Sequence, residues 1–553
     1  MKLLRNIGIS IAVVVIGGWL VLQLVFHSLS LNPPTVEEKS IGEDQISTEN
    51  GARKLNECWY RQNESGIWEA YIEGAPYQRG LTFGLLAEKQ IVSQEESFVA
   101  QIRKLIPSEW FLRTLKYGVV FFNRNLPDHV SVELQQEIYG VSQSFADEFD
   151  LIGDKYSRIL NYHAAHDIGH ALQDLSIVGC SSFAVWDAHS ADSSLIVGRN
   201  FDFYMGDDFA KDKIILFVRP DSGYAFASIT WAGFMGVVSG MNEHGLTVTL
   251  NAAKSEIPNG ARTPISLLAR EILQYARTID EAYAIARSRQ TFVSESLLIS
   301  SADDRAAAII EKSPDRIDIY RPTDTRLVCT NHYQSETFRN DPINKQNIID
   351  SDSKYRFERM NELLDFNLPV DPKRAVDILR NQKGLNDAEL GMGNPKAINQ
   401  LLAHHAIVFQ PEKRLLWVST NPFQLGEFVC YDLDQVFGKK EKGKRGNVDS
   451  LSVAADAFLS SVDYKRFLRY KELKNRLFDN IALGKDIEWN ADLEAEFIAC
   501  NQQSYVTYLM LGDHYLELKN FEKAKRYYQL SLSKEVASEQ ERKHIQQNLE
   551  ACH

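Results

Sequence analysis

Cys180, in the stretch Ile177-Val178-Gly179-Cys180-Ser181-Ser182-Phe183, is the residue from which chemistry can most readily start. Three clusters follow it in order: Gly198-Arg199-Asn200-Phe201-Asp202-Phe203, Gly240-Met241-Asn242-Glu243-His244-Gly245-Leu246 and Cys329-Thr330-Asn331-His332-Tyr333. A cysteine attacks as its thiolate, so something must take the proton. Histidine is the usual base. Another arises if the Gly179–Cys180 peptide bond is cut. The new α-amine has an unperturbed pKa of about 7.7–8, so nucleophile and base then share one residue. Gly179 leaves room for the strained backbone that such a cut needs. Taken alone, Cys180 is an ordinary buried thiol; the clusters downstream give it a use.

A second constellation lies just upstream. His163, His166 and His170 fall at helical offsets of three and seven, so they share a face and can ligate a metal. The HExxH signature is absent, and packing or a part in processing of the chain competes with ligation. No metal or other cofactor is expected on balance.

The elements that must position these residues change character along the chain. From Cys58 to Gly179 the sequence reads as mainly helical, with apolar residues at helical spacing over Ala87–Ile106 and His129–Phe149. Gly74, Gly80 and Gly84 mark tight turns or close backbone approach. After Cys180, short β-rich runs take over: Leu195–Asn200, Lys213–Arg219, Tyr224–Trp231, Val237–Met241 and Leu246–Asn251, with a hairpin turn at Asn242–Gly245. Two helices are expected at Ile265–Ala276 and Ile279–Arg287. Strands then resume at Leu297–Ser301, Ala306–Glu311, Arg316–Tyr320 and Arg326–Cys329, and a last hairpin pairs Ala406–Gln410 with Leu415–Thr420. This order predicts an α+β fold of layered sheets with helices outside. Beyond the basic stretch Lys439–Arg445, Tyr508, Leu511, Gly512, Tyr515, Ala524, Tyr528 and Ser531 match a tetratricopeptide helix pair, with generic helix packing as the alternative.

The bulk properties set limits. A chain of 553 residues exceeds one core. Its net charge of -13 disfavours nucleic acid as a partner. Six cysteines show no zinc spacing, although Cys500 and Cys552 can bridge in an oxidising compartment. Lys2 and Arg5 precede the uncharged apolar run Ile7–Phe26. A run of about 20 apolar residues spans a bilayer as a helix, and the basic flank keeps that end cytoplasmic. Ser28-Leu29-Ser30 also permits cleavage as a signal peptide. Either way the remainder is expected on the extracytoplasmic side, membrane-anchored in the first case. The expected division is 1–27 anchor or signal, 28–56 tether, 57–179 helical segment, 180–438 core, 439–450 basic linker and 451–553 tetratricopeptide-like helices.

Taken together, the motifs resemble the N-terminal-nucleophile hydrolases of the penicillin acyltransferase (peptidase C45) and choloylglycine hydrolase group, with acid-ceramidase-like enzymes. The resemblance runs from about Glu69 to Asp432 and is strongest to the acyltransferase branch. It implies a four-layer αββα sandwich and a precursor cut immediately before the nucleophile, Cys180. It further implies that Arg199 and Asp202 lie close to the nucleophile. On the same resemblance, Asn251 and Asn331 supply amides to the oxyanion, worth about 3–4 kcal/mol for such a donor. Arg356, in Tyr355-Arg356-Phe357-Glu358-Arg359, weakly matches an arginine of the choloylglycine branch and competes with an exposed helix charge. His332 and Trp231 are candidates for substrate contact. One departure stands out: where the acyltransferase branch has an arginine before the penultimate strand, this chain has Lys396-Ala397-Ile398-Asn399-Gln400.

The implied activity is hydrolysis of linear amide bonds in an amphiphilic N-acylated molecule, through an acyl-enzyme on Cys180. Three other outcomes stay open: acyl transfer on the same fold, an inactive tethered scaffold whose helical tail recruits a protein partner, and a metal hydrolase built on the three histidines.

Overall fold

The computed structural model describes residues 31–37, 45–106, 108–149, 152–171, 179–254, 260–438, 446–483 and 489–552. The apolar run Ile7–Phe26 and the basic stretch Lys439–Arg445 lie outside the described residues. Among the described residues no helix is long and apolar enough to cross a membrane.

The first described elements are four strands, where a tether and then helices were expected: β1 (Ser47–Glu49), β2 (Ala52–Leu55), β3 (Cys58–Gln62) and β4 (Trp68–Gly74). Asn50 and Gly51 turn β1 into β2 with φ of 50° and 75°. That is the conformation a two-residue hairpin demands, and Asn-Gly is its preferred pair. Trp59 and Tyr71 point to one face and Tyr60, Ala70 and Ile72 to the other, each face burying its own set. The helices then follow: α1 (Pro76–Leu105), α2 (Glu109–Asn123), α3 (Val132–Ser142) and α4 (Lys155–Ala171). Leu31 is buried against this layer, its N–H donating to Ser157 Oγ at 3.1 Å.

The central strands are β5 (Ser181–Asp187), β6 (Ser193–Phe201), β7 (Ile214–Pro220), β8 (Phe226–Thr230), β9 (Ser239–Asn242) and β10 (Leu246–Ala252). After helices α5 (Ile265–Tyr275) and α6 (Ile279–Ser288) come β11 (Glu295–Ser301), β12 (Ala306–Lys312), β13 (Ile317–Tyr320) and β14 (Arg326–Cys329). Helices α7 (Pro342–Asp350), α8 (Ser353–Asn367) and α9 (Pro372–Leu379) lead to β15 (His405–Gln410), β16 (Leu415–Ser419) and β17 (Phe428–Asp432). β6 to β16 and helices α5 and α6 agree with the expected strands and helices to within a few residues, whereas β5, α7 to α9 and β17 were not among them.

Two sheets result. One has eleven strands in the order β1-β2-β3-β4-β7-β8-β9-β10-β11-β12-β13; the other has six, β14-β5-β6-β15-β16-β17. β4 joins the larger sheet parallel to β7, so the N-terminal hairpins extend a sheet whose other strands come after Cys180. Val197, Phe217, Leu298, Ile309, Phe409 and Val418 fill the space between the sheets. On the outer face of the smaller sheet, Phe183, Val185 and Ile196 pack against Met360, Leu363 and Val376 of α8 and α9. On the larger, Leu216 and Val248 pack in one cluster with Ile138 and Leu268 of α3 and α5. Period-two alternation thus gives each strand two apolar faces, and the layers are helix, sheet, sheet, helix.

Helices α1 and α3 cross at two glycines. A Cβ on Gly80 would lie 1.9 Å from Glu137 O, and one on Gly140 would lie 2.4 Å from Tyr77 O. Glu137 sits fully buried between Arg79 at 2.8 Å and Arg270 at 3.1 Å, tying α1, α3 and α5 together.

The C-terminal helices are α10 (Val462–Leu483), α11 (Ala491–Cys500), α12 (Tyr505–Glu517), α13 (Phe521–Leu532) and α14 (Glu539–Glu550). α12 and α13 form a helical hairpin, with Gly512 against the Tyr528 ring. One face of the hairpin is covered by α10 and α11 and another by α14. Cys500 and Cys552 belong to different clusters and both are free thiols, so the bridge considered for them does not form.

Candidate functional site

Cys180 immediately precedes β5 and is 1% exposed. Its neighbour across the sheet is β6, where Arg199 stands opposite Ser182. The Arg199 guanidinium turns toward the sulfur, Nη2 lying 3.6 Å from Cys180 Sγ. It is anchored by donating to Val238 O at 3.0 Å, to Ser239 Oγ and to Leu250 O, and it lies over the Phe201 ring. Burial pushes the Cys180 thiol up to about 11, with Arg199 working against the rise. In the uncut chain the sulfur is therefore protonated at neutral pH.

Asp202 directly follows the last residue of β6. Its backbone carbonyl accepts the Gly179 N–H at 3.0 Å, which holds the residue before the cysteine. Its carboxylate is fully buried, and neither oxygen has a hydrogen-bond partner among the described residues. Burial pushes its pKa up to about 8, partly countered by Arg356 and Arg199. A buried carboxyl group without a partner is costly, and a cation arriving beside it would remove that cost.

Arg356 is not an exposed helix charge. It is 1% exposed and reaches from α8 to the nucleophile, donating through Nη1 to Cys180 O at 2.7 Å and to Ser181 Oγ at 2.9 Å. Its Nη2 donates to Asn331 Oδ1 at 2.7 Å and to Asp352 at 2.9 Å. Asn331 in turn donates to Ala252 O at 2.9 Å, just past Asn251. Asn251 accepts from Ser182 Oγ at 2.8 Å and donates to Cys329 O at 3.2 Å. Each amide nitrogen carries two hydrogens, and the bonds named engage one of each. Cys180, Arg199, Asp202, Asn251 and Asn331 are thus brought together, and Arg356 links two of the segments that carry them, those of Cys180 and Asn331.

His332 does not join them. Its Nδ1 lies 2.8 Å from Ser353 Oγ and 3.2 Å from Thr330 Oγ1, and its ring packs on Phe357. Burial lowers its pKa to about 4. It braces the turn that presents Asn331. Trp231 lies one aromatic step away, stacked with Phe203 and Phe234 and set against Phe209.

His163 is committed elsewhere. Its Nδ1 donates to Ile159 O at 2.8 Å, its Nε2 accepts from Met235 N at 2.9 Å, and its ring stacks on Phe234. With both ring nitrogens used, it has no lone pair for a metal. The side chains of His166 and His170 lie outside the described residues. Among the described residues no group of three or more metal-ligating side chains forms.

Sequence reasoning missed four neighbours of the site. His405 Nε2 lies 2.8 Å from Ser239 Oγ, which also holds Arg199, and His404 and His405 face each other through Nδ1 at 2.9 Å. The signal was present: a His-His pair opening a strand that pairs with β6. Lys213 is 2% exposed, donates to Ser419 O at 3.2 Å, and is lowered to about 7 by burial. Gln400 Nε2 donates to Gly179 O at 3.2 Å across 221 residues, and no local pattern announces such a contact.

Comparison with known proteins agrees with the motifs. Residues 186–422 match the family model of acyl-coenzyme A:6-aminopenicillanic acid acyl-transferase. That span holds Arg199, Asp202, Asn251, Asn331 and Arg356 and begins six residues after Cys180. An uncharacterized protein of Archaeoglobus fulgidus is 25% identical over 271 residues, 46% of this chain and 45% of that one. Protein dcd1A of Dictyostelium discoideum is 25% identical over 250 residues, 41% of this chain and 54% of that one. The chain thus spans about half the length of the curated relatives it matches. Among solved structures, the Caenorhabditis elegans N-acylethanolamine-hydrolyzing acid amidase ortholog matches at 20% identity and TM-score 0.30, over 42% of this chain and 93% of that one. A mutant of conjugated bile acid hydrolase from Clostridium perfringens matches at 12% identity and TM-score 0.32, over 46% and 93%.

Proposed function

We infer that this chain, which its motifs and its matched central region group with the N-terminal-nucleophile hydrolases of the penicillin acyltransferase and choloylglycine hydrolase kind, is a cysteine amidohydrolase activated by cleavage at Gly179–Cys180. The observation that carries this reading is the pair of states around Cys180. The sulfur lies against a fixed guanidinium but is held as a thiol by burial. Beside it stands the buried Asp202 carboxyl group, neither oxygen of which has a hydrogen-bond partner among the described residues. A free α-ammonium on Cys180 answers both: it gives Asp202 a counter-charge and, as the amine, takes the thiol proton.

The reaction then runs in two halves. The Cys180 thiolate attacks the carbonyl of a linear amide. Negative charge collects on the carbonyl oxygen, within reach of the Asn331 and Asn251 amides. The Cys180 ammonium passes its proton to the departing amine, leaving a thioester on the sulfur. Water adds to the thioester, its proton returns to the amine, and the acid leaves. An amine in place of that water makes the same site an acyltransferase. The aromatic cluster of Phe203, Phe209, Trp231 and Phe234 beside the site supports an apolar acyl group. The basic flank and apolar run at residues 2–26 support placement at the extracytoplasmic face of a membrane, near amphiphilic substrates.

Intact-mass and N-terminal analysis of the purified full chain is the test. Two fragments are expected, the second beginning at Cys180, and Cys180→Ala should remain one chain with no amide hydrolysis. A single uncut chain with full activity would overturn the reading.

A further inference from the structure

The carbonyl of the bond proposed to be cut is already held. Gly179 O accepts the Gln400 Nε2–H at 3.2 Å in a site where Gln400 is 4% exposed. Because that oxygen only accepts, the amide nitrogen and not its oxygen must face it. The same residue is held through its own N–H, which donates to Asp202 O at 3.0 Å. Gly179 is thus gripped through both of its backbone polar groups, one of which is the scissile carbonyl.

Gln400 lies in the stretch where the acyltransferase branch was expected to carry an arginine. This stretch is packed between the sandwich and the C-terminal helices. From the sandwich, Asn200 Nδ2 donates to Leu379 O and Ile398 O, both at 2.9 Å. From the helices, Asn501 makes a two-way bond with the Met392 backbone at 3.0 and 2.9 Å. Asn394 donates to Glu535 O at 2.9 Å, and Lys396 pairs with the Glu535 carboxylate at 2.5 Å. Leu401, next to Gln400, is buried in one cluster with Phe467 and Leu473.

Resting on the self-cleavage reading above, we propose that Gln400 is a catalytic residue of that cleavage, donating to the oxyanion that forms on Gly179, and that the C-terminal helices hold it there. Cys180 Sγ attacks the Gly179 carbonyl carbon, closing a five-membered ring. The carbonyl oxygen takes the negative charge and Gln400 Nε2–H bonds it. The carbon–nitrogen bond breaks, the thiol proton ends on the Cys180 nitrogen, and Gly179 is left as a thioester on the sulfur. Water then adds its hydroxyl to Gly179 and its proton to the sulfur. The products are a Gly179 carboxylate and a free Cys180 with its amine. The C-terminal helices thereby act in maturation through the segment they grip.

The test follows cleavage by intact mass after cell-free synthesis of the full chain, on the folded fraction isolated by size exclusion. Loss of one oxyanion donor costs about 10²–10³ in rate, so Gln400→Met should cut at least about a hundredfold more slowly than wild type. Lys396→Ala combined with Asn501→Ala, which loosens the grip and leaves Gln400 in place, should slow cutting by about tenfold, a factor worth about 1.4 kcal/mol. Wild-type cleavage with Gln400→Met cutting equally fast overturns this proposal and leaves the proposed function standing. A wild-type chain that never cuts overturns both. If Gln400→Met yields no folded fraction, the Lys396→Ala/Asn501→Ala pair decides: unchanged cutting overturns the proposal, slowed cutting supports it.

Discussion

Asp202 is a buried carboxyl group whose surroundings the proposed cut would change. In the uncut chain its carboxyl group is buried and its pKa is pushed up to about 8 by desolvation. An unfolded aspartate titrates near 3.9. Between those values the folded chain keeps a proton that the unfolded chain has released. Stability therefore falls as pH rises from about 4 to about 8, and outside that window this group adds no further pH dependence. Asp202→Asn removes the titration and keeps the shape. Placed in a Cys180→Ala background, which holds the chain uncut, it should raise Tm relative to Cys180→Ala alone at pH 8 and change it little at pH 4, by an amount reflecting a few kcal/mol. An equal effect at both pH values would show that Asp202 is not held protonated. Glu311, also raised by burial to about 7, titrates in both proteins and cancels in the comparison. The residue-level reading of the sequence identified Cys180, Arg199, Asp202, Asn251 and Asn331 because each sits in a short motif. It placed Arg356 only weakly, because a lone arginine on a polar helix shows no local sign that its guanidinium is buried. Adjacency to Asn331 did not reveal that the His332 ring turns toward Ser353 and Phe357.

Glycine shows how the elements are held. Gly80 lies where α1 meets α3, and an added methyl group would run into the Glu137 backbone. Backbone cannot step aside as a side chain can, so Gly80→Ala must push the helices apart and disturb the Arg79–Glu137–Arg270 contact. A loss of about 1–3 kcal/mol or more is expected from such overpacking. Gly118, in α2, is exposed and has nothing within 4 Å of its missing Cβ. There Gly118→Ala should gain about 0.5–1 kcal/mol, because alanine loses less backbone entropy in a helix. Paired melting curves check this: the same substitution should move Tm in opposite directions. Element type after Cys180 was legible because the strands are short, β-rich and bounded by turns. The strands before it were not. Polar composition hid β1 and β2, although Asn50-Gly51 is a hairpin signal. β4 finds its partner β7 about 145 residues later, and no local pattern encodes that pairing.

On the scale of the whole molecule, the C-terminal helices are a part of the body and not an appendage. After the basic stretch, Val448 N donates to Cys430 O at 2.8 Å, and Phe428 and Val453 exchange bonds at 2.9 Å, so the returning chain lines the edge of β17. Leu401 and Leu425 of the sandwich are buried with Phe467, Leu473 and Leu477 of α10. Lys471 pairs with Asp207 at 2.7 Å, and its ammonium lies over the Phe423 ring. Apolar area buried in this way is worth about 25 cal/mol per Å², and a covalent link adds little to a contact already made. Replacing residues 439–445 by a site-specific protease sequence and cutting there should therefore leave both parts together. They should co-elute on size exclusion, separate only in denaturant, and keep amide hydrolysis. Separation in buffer would mean that the helices are a tethered recruitment module, the arrangement expected of a scaffold tail. Retention places them where the contacts around Met392, Asn394 and Lys396 require, bracing the segment that reaches Gly179.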